Sequence, residues 1–126
     1  MDSLDDMRDQ LRGFAAAREW EQFHTPKNLA MALTGEVGEL VAELQWLGDA
    51  EIDAQLEGGT LRDRLSDEVA DVMLYLLRFS DVCGIDLVAA AAAKVERNEQ
   101  RYPADLARGT AAKYTELGRD RPASSL

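Results

Sequence analysis

Apolar residues recur along this chain at helical spacing, and four stretches carry the pattern. Leu4, Met7, Leu11 and Phe14 step by 3, 4 and 3, which predicts a first helix continuing toward Trp20. Thr25-Pro26 then supplies a helix start, with Thr as N-cap and Pro at the first helical position, ahead of Leu29, Leu33, Val37, Leu40 and Leu44. This second helix is predicted to run to about Trp46. Gly48 through Gly58-Gly59 reads as a connection with room for one short helix. Thr60 is the expected cap of a third helix, whose Leu65, Val69, Val72, Leu76 and Phe79 form a stripe that lasts until Gly84. Asp86 is the expected cap of a fourth, in which Ala89 to Ala93 allow close packing and which ends before Tyr102-Pro103. The chain beyond Pro103 reads as irregular.

No stretch alternates with period two and no Asn-Gly or Asp-Gly hairpin signal occurs, so strands have no good candidates. The expected fold is an all-α bundle of four to five helices, a single domain over residues 1–118 followed by a loose tail at 119–126. Helix three carries Met73, Leu74, Tyr75 and Leu77 beside its stripe, an excess that fits either a helical dimer interface or an extended internal core.

Composition narrows the function classes. A 126-residue chain that is 46% hydrophobic can build one core. Fourteen Lys and Arg against 24 Asp and Glu leave a net charge of −10, which repels a phosphodiester backbone and speaks against nucleic acid or an anionic membrane as partner. The charge is uneven: Lys94 to Arg121 holds seven basic and five acidic residues, the rest seven and nineteen. An acidic body beside a mildly basic stretch suits a metal and a small anion at their junction. Cys83, the single cysteine, excludes an internal disulfide and any multi-cysteine metal site, and reads as a buried thiol in a reducing compartment. No apolar run approaches the roughly 18 residues of a membrane span, and the four Asp within Met1–Asp9 do not make a secretory signal, so a cytoplasmic protein is expected.

Glu36-x-x-Glu39 on helix two and Glu68-x-x-Asp71 on helix three each place two carboxylates on one helical surface, where both can reach one divalent cation. Spacing alone decides nothing, because five such acidic pairs occur where about 4.5 are expected by chance at this carboxylate content. Solvated helix faces therefore stay open as the alternative. Position separates these two pairs from the other three: each borders the apolar stripe of a strongly periodic helix. Crowded, partly desolvated carboxylates repel one another unless a cation neutralises them. Four hard oxygen donors without cysteine select Mg²⁺, with Mn²⁺ as a substitute, over zinc, and such ions point to phosphate chemistry. His24 is the only histidine, so the paired Glu-x-x-His motifs of di-iron bundles are absent, as are a Walker A loop, a dinucleotide fingerprint and a nucleophile elbow.

Longer words in the chain go beyond this class argument. Phe14-Ala-Ala-Ala-Arg-Glu-Trp20-Glu-Gln-Phe-His24-Thr-Pro26-Lys-Asn28, then Glu36-Val-Gly-Glu39-Leu with Gln45-Trp46, then Asp67-Glu68-Val-Ala-Asp71-Val with Tyr75-Leu, and finally Asn98-Glu-Gln-Arg101-Tyr102-Pro103 and Lys113-Tyr114-Thr-Glu-Leu117 closely resemble the dCTP pyrophosphatase branch of the MazG-like all-α nucleoside triphosphate pyrophosphohydrolases. The resemblance runs from about Leu11 to Leu117. It implies hydrolysis of a nucleoside triphosphate between the α and β phosphates, with a preference for dCTP and 5-modified dCTP, on Mg²⁺ held by Glu36, Glu39, Glu68 and Asp71. It further implies a homodimer or homotetramer and a nucleotide pocket lined by Trp20, Trp46, Tyr75 and Asn98, with His24 beside them.

The residues themselves are compatible with these roles. Trp20 and Trp46 can sandwich a planar base or act as core or interface anchors. Lys94 and Asn98 share one face of helix four and can meet phosphate oxygens or simply face solvent. His24 can bond a base or phosphate, or be structural. Lys113 and Tyr114 can reach phosphate within a subunit or across an interface. Glu36 or Glu39 is the expected catalytic base. A broad-specificity house-cleaning dNTP hydrolase and a non-catalytic acidic interaction module remain as the rival functions.

Overall fold

The computed structural model describes residues 3–117, so the tail expected at 119–126 lies outside the described residues. The described residues are helical with no strand, as expected. Two compact units divide the chain, Met1–Ile85 and Asp86–Leu126.

The first unit contains α1 (Leu4–Ala17), a 3₁₀ turn (Glu21–Phe23), α2 (Pro26–Leu44), α3 (Asp49–Gly58) and α4 (Thr60–Val82). Helix α4 is its hub, packing most extensively on α2 and also against α1 and α3. At 23 residues it is roughly 34 Å long. The Thr25 hydroxyl accepts the Asn28 backbone N–H at 3.2 Å, and Pro26 occupies the first turn of α2. Buried side chains are few: Ala15, Leu29, Leu61, Leu77 and Ser80.

Four local expectations need correcting. Thr60 is the first residue of α4 rather than its cap; Gly59, at φ 89°, closes α3 and opens α4 in one left-handed residue. Of the stripe assigned to this helix, Val69 and Leu76 are exposed, while Leu61 and Leu77 are buried, so the packed face is rotated from the one the spacing suggests. Cys83 is exposed, because it follows the last turn of α4, where the chain has already left the packed face. Helix α1 stops at Ala17, short of Trp20.

That early stop has a definite geometry. The Trp20 N–H reaches back to the Ala15 carbonyl at 2.9 Å and the Glu19 N–H to that of Ala16 at 3.1 Å, with Glu19 at φ 55°. This pair of bonds is the Schellman closure of a helix. Helix α4 ends the same way, with Ile85 bonded to Ser80 at 2.8 Å and Gly84 to Asp81 at 3.1 Å, but there a glycine takes the left-handed position, at φ 69°.

The second unit contains α5 (Leu87–Arg101), α6 (Ala104–Ala107) and α7 (Tyr114–Leu117). Asp86 caps α5 by accepting the Ala89 N–H at 3.0 Å, as expected. The region after Pro103, expected to be irregular, holds two single-turn helices. Among the described residues no helix is long and apolar enough to cross a membrane.

Replacing Glu19 by glycine removes the steric cost of a side chain in the left-handed region and should stabilise the fold by up to about 1 kcal/mol. Thermal unfolding of Glu19→Gly checks it, and an unchanged or lower Tm would contradict the strain at this turn.

Candidate active site

Helix α2 carries Glu36 and Glu39 and α4 carries Glu68 and Asp71, and the packing of these two helices brings the pairs together. One oxygen from each of the four carboxylates lies within 4.8 Å of every other. At such separations like charges repel strongly wherever water is excluded. Water is partly excluded here: Glu36 and Glu68 are half-buried, whereas their apolar neighbours Val37 and Val69 are 41% and 53% exposed. Burial that favours a glutamate over the adjacent valine is the reverse of the usual order.

The outcome shows in two atoms. Glu36 Oε2 and Glu68 Oε2 are buried and have no hydrogen-bond partner among the described residues. Desolvation, followed by the nearness of Glu39 and Asp71, raises the pKa of Glu36 above the ordinary glutamate range. Glu68 is raised too, by desolvation first and then by Glu39, with Asp71 and Glu36 adding to it. Two orphaned oxygens within an all-oxygen donor set fit a hard divalent cation, which would satisfy the lone pairs and cancel the repulsion.

Beside the carboxylates lies a cavity of about 200 Å³, smaller than the pockets that enclose drug-sized ligands. Asp71 belongs to both features, and Leu74, Tyr75 and Arg78 continue the cavity wall along the same face of α4. Phe14, Trp20 and His24 close it from α1 and the 3₁₀ turn. The Schellman closure after Ala17 is what turns Trp20 back toward Phe14, where the two rings meet edge to face at 5.6 Å. Trp20 meets the His24 ring in the same manner at 6.4 Å. A mostly apolar wall of aromatic rings next to a carboxylate cluster suits a planar base attached to a charged phosphate chain.

A polar relay, nearly buried at Arg78 and Asp81, backs this wall. Arg78 donates from Nε to His24 Nδ1 at 3.0 Å and from Nη1 to Asp81 Oδ2 at 3.4 Å. Asp81 in turn accepts two bonds from Arg12 of α1, that from Nε at 2.7 Å. Hydrogen bonding by Arg12 holds the Asp81 carboxyl below its ordinary pKa, and burial together with the Arg78 charge lowers that of His24. Sequence reasoning missed Arg12, Arg78 and Asp81. The spacing of Arg78 and Asp81 is an available signal, but Arg12 lies 69 residues from its partner and has none.

Of the remaining residues expected at the site, one is in the first unit and the others are in the second. Trp46 follows α2, is 86% exposed and does not line the cavity. Lys94 and Asn98 are exposed one turn apart on α5, and Lys113 is exposed before α7. The side chain of Tyr114 lies outside the described residues.

Residues 24–105 match the model of the MazG nucleotide pyrophosphohydrolase domain. The chain is similar to dCTP pyrophosphatase 1 of Rattus norvegicus, 47% identical over 93% of this chain and 69% of the relative. It is likewise similar to the Homo sapiens protein of that name, 46% identical over 91% and 68%. Among solved structures, a pyrophosphatase from Archaeoglobus fulgidus superposes with a TM-score of 0.72 at 36% identity, covering 79% of this chain and 91% of that one. With a family match across most of the chain and a four-carboxylate cluster formed by its two best-packed helices, this protein belongs to the MazG nucleotide pyrophosphohydrolase family.

Proposed function

We propose that this chain hydrolyses dCTP, or a dCTP modified on its base, to the nucleoside monophosphate and pyrophosphate in a Mg²⁺-dependent reaction. The observation that carries the reading is that Asp71 stands in both the carboxylate cluster and the wall of the aromatic cavity, so one nucleotide can reach both. A Mg²⁺ ion held by Glu36, Glu39, Glu68 and Asp71 would polarise phosphate oxygens and make water a better nucleophile. The protein's part is positioning. Trp20 and Tyr75 take the base against the apolar wall, His24 bonds it, and Glu36 or Glu39 accepts the proton of the attacking water. Lys94, Asn98, Lys113 and Tyr114 are proposed as further substrate-binding residues. A non-catalytic acidic module leaves the two orphaned glutamate oxygens without an explanation.

The same reading includes a second copy of the chain. Val37 and Val41 on α2 and Val69, Met73 and Leu76 on α4 are exposed at helical spacing, and Trp46 is more exposed than any of them. A homodimer, alone or paired into a tetramer, would cover these stripes. Trp46 would then reach a neighbouring copy.

Three outcomes are expected. A panel of nucleoside triphosphates should give pyrophosphate most rapidly from dCTP or its 5-modified forms and only with Mg²⁺, and Glu39→Ala or Asp71→Ala should lower turnover at least a hundredfold at unchanged helix content. A flat profile would favour the broad-specificity hydrolase, and no turnover would sink the reading.

The second concerns pH. A carboxyl raised on folding binds its proton more tightly in the folded state, so its contribution is most favourable below the ordinary 4.5 and is lost as pH rises through the raised value. Metal-free protein should therefore gain stability from Glu68→Gln at about pH 8, while Mg²⁺ should raise the Tm of the wild type alone, by an amount that shrinks as pH falls toward 4.5. Calorimetry with and without Mg²⁺ checks both signs.

The third concerns assembly. Light scattering should report a dimer or tetramer for the wild type and a smaller species for Met73→Glu, which places a charge in the stripe; a monomeric wild type would refute the assembly.

A further inference from the structure

One polar ring stands in the wall of the aromatic cavity, and its protonation is dictated from outside. The guanidinium of Arg78 can only donate, and its Nε points at His24 Nδ1 at 3.0 Å. Nδ1 must therefore present its lone pair, which places the proton of the neutral ring on Nε2. No described residue accepts a hydrogen bond from that Nε2. Arg78 is itself held in place: its side chain and that of Asp81 are only 11% and 10% exposed, and Arg12 of α1 grips Asp81 through both carboxylate oxygens. The relay thus joins α1, α4 and the turn before α2, all of which bear the cavity wall.

We propose that Arg78, braced by Asp81 and Arg12, is a positioning residue that holds His24 as the Nε2–H tautomer, so that the cavity offers a hydrogen-bond donor to an acceptor on a pyrimidine base. The proposal rests on the reading that this cavity takes the base. It deepens that reading by naming the edge that is recognised. Cytosine carries two adjacent acceptors, O2 and an unprotonated N3, whereas uracil and thymine bear an N–H at N3. O2 is an acceptor in all three bases, so the discriminating contact is the one at N3, where a ring fixed as a donor meets the cytosine lone pair favourably and opposes the N3–H of the other two. A histidine free to change tautomer could present an acceptor instead and would discriminate less.

His24 is the only histidine, so its two nitrogens are assigned in a long-range ¹H–¹⁵N correlation of the intact labelled protein without ambiguity. The wild type at about pH 8 should show a protonated Nε2 and an unprotonated Nδ1. Asp81→Asn, or Arg12→Gln should the first variant fold poorly, should shift both signals toward an exchanging mixture. Either change should raise KM for dCTP roughly five- to tenfold with little change in kcat. In His24→Gln, whose carboxamide can donate near the Nε2 position, adding Asp81→Asn should change KM no further. A wild type protonated on Nδ1, or already exchanging, overturns the proposal. A raised KM with an unaltered tautomer in Asp81→Asn also overturns it, since the acidic residue then acts by some other route. Absence of dCTP turnover in the wild type refutes the substrate reading instead, and the spectrum alone then decides whether the ring is clamped.

Discussion

Mutual repulsion among four carboxylates is the constraint around which the first unit is organised. Their oxygens stand within 4.8 Å of one another between α2 and α4, the two helices that pack most extensively. A fold left to maximise its own stability would place apolar side chains where Glu36 and Glu68 sit and turn the valines inward, and this chain does the opposite. The helices are kept together by contacts elsewhere: Leu29, Leu61 and Leu77 are buried, and Arg64 of α4 donates to Glu43 of α2 at 2.8 Å. The buried leucines carry most of this, because a half-exposed ion pair adds little. Charge is thus held under tension by apolar packing, and a divalent cation is the partner that relieves it.

Helix α4 converts that tension into a site by distributing its functions along one face. Glu68 and Asp71 stand in the carboxylate cluster, Leu74 and Tyr75 line the cavity beside it, and Arg78, held by Asp81, bonds the His24 ring in the same wall. Steps of three and four residues keep these groups in line. A single rigid helix therefore sets the distance between the carboxylates and the base-sized cavity. The spacing tolerates no slippage between the two parts, which is a stronger basis for discrimination than two loops moving independently.

The sequence made the helices, the carboxylate quartet and the all-α class readable, because each is expressed locally. Periodicity marks α2 and α4 over many turns, and the caps at Thr25 and Asp86 are short-range bonds that residue identity alone predicts. What remained illegible had non-local or near-degenerate causes. Adjacent residues on a helix differ by about 100° in direction, so spacing could not say that Glu36 and Glu68 turn inward more than Val37 and Val69. Exposed Cys83 sits in an apolar word that ends one residue too early to bury it. Arg12 and Asp81 share no pattern, being brought together by the docking of α1 on α4. The closure at Glu19 was hidden because a glycine ordinarily announces it, and here a charged residue occupies the left-handed position.

That unusual closure and the polar relay serve one end. The cavity wall is drawn from three segments distant in sequence, and a wall of this kind is only as rigid as its weakest attachment. Trp20 is fixed by backbone bonds to Ala15, so its placement follows from α1 ending at Ala17. His24 is fixed by Arg78, so its placement follows from α4. The Arg12 grip on Asp81 then ties those two references to each other. An ion pair with one partner nearly buried and both oxygens engaged constrains orientation in a way that apolar contact does not, since leucines can slide where a two-point hydrogen bond cannot. The helix that carries Glu68 and Asp71 is thus coupled to the turn that carries His24. Disturbing α1 should accordingly alter recognition before it alters the carboxylate cluster, which depends on α2 and α4 alone.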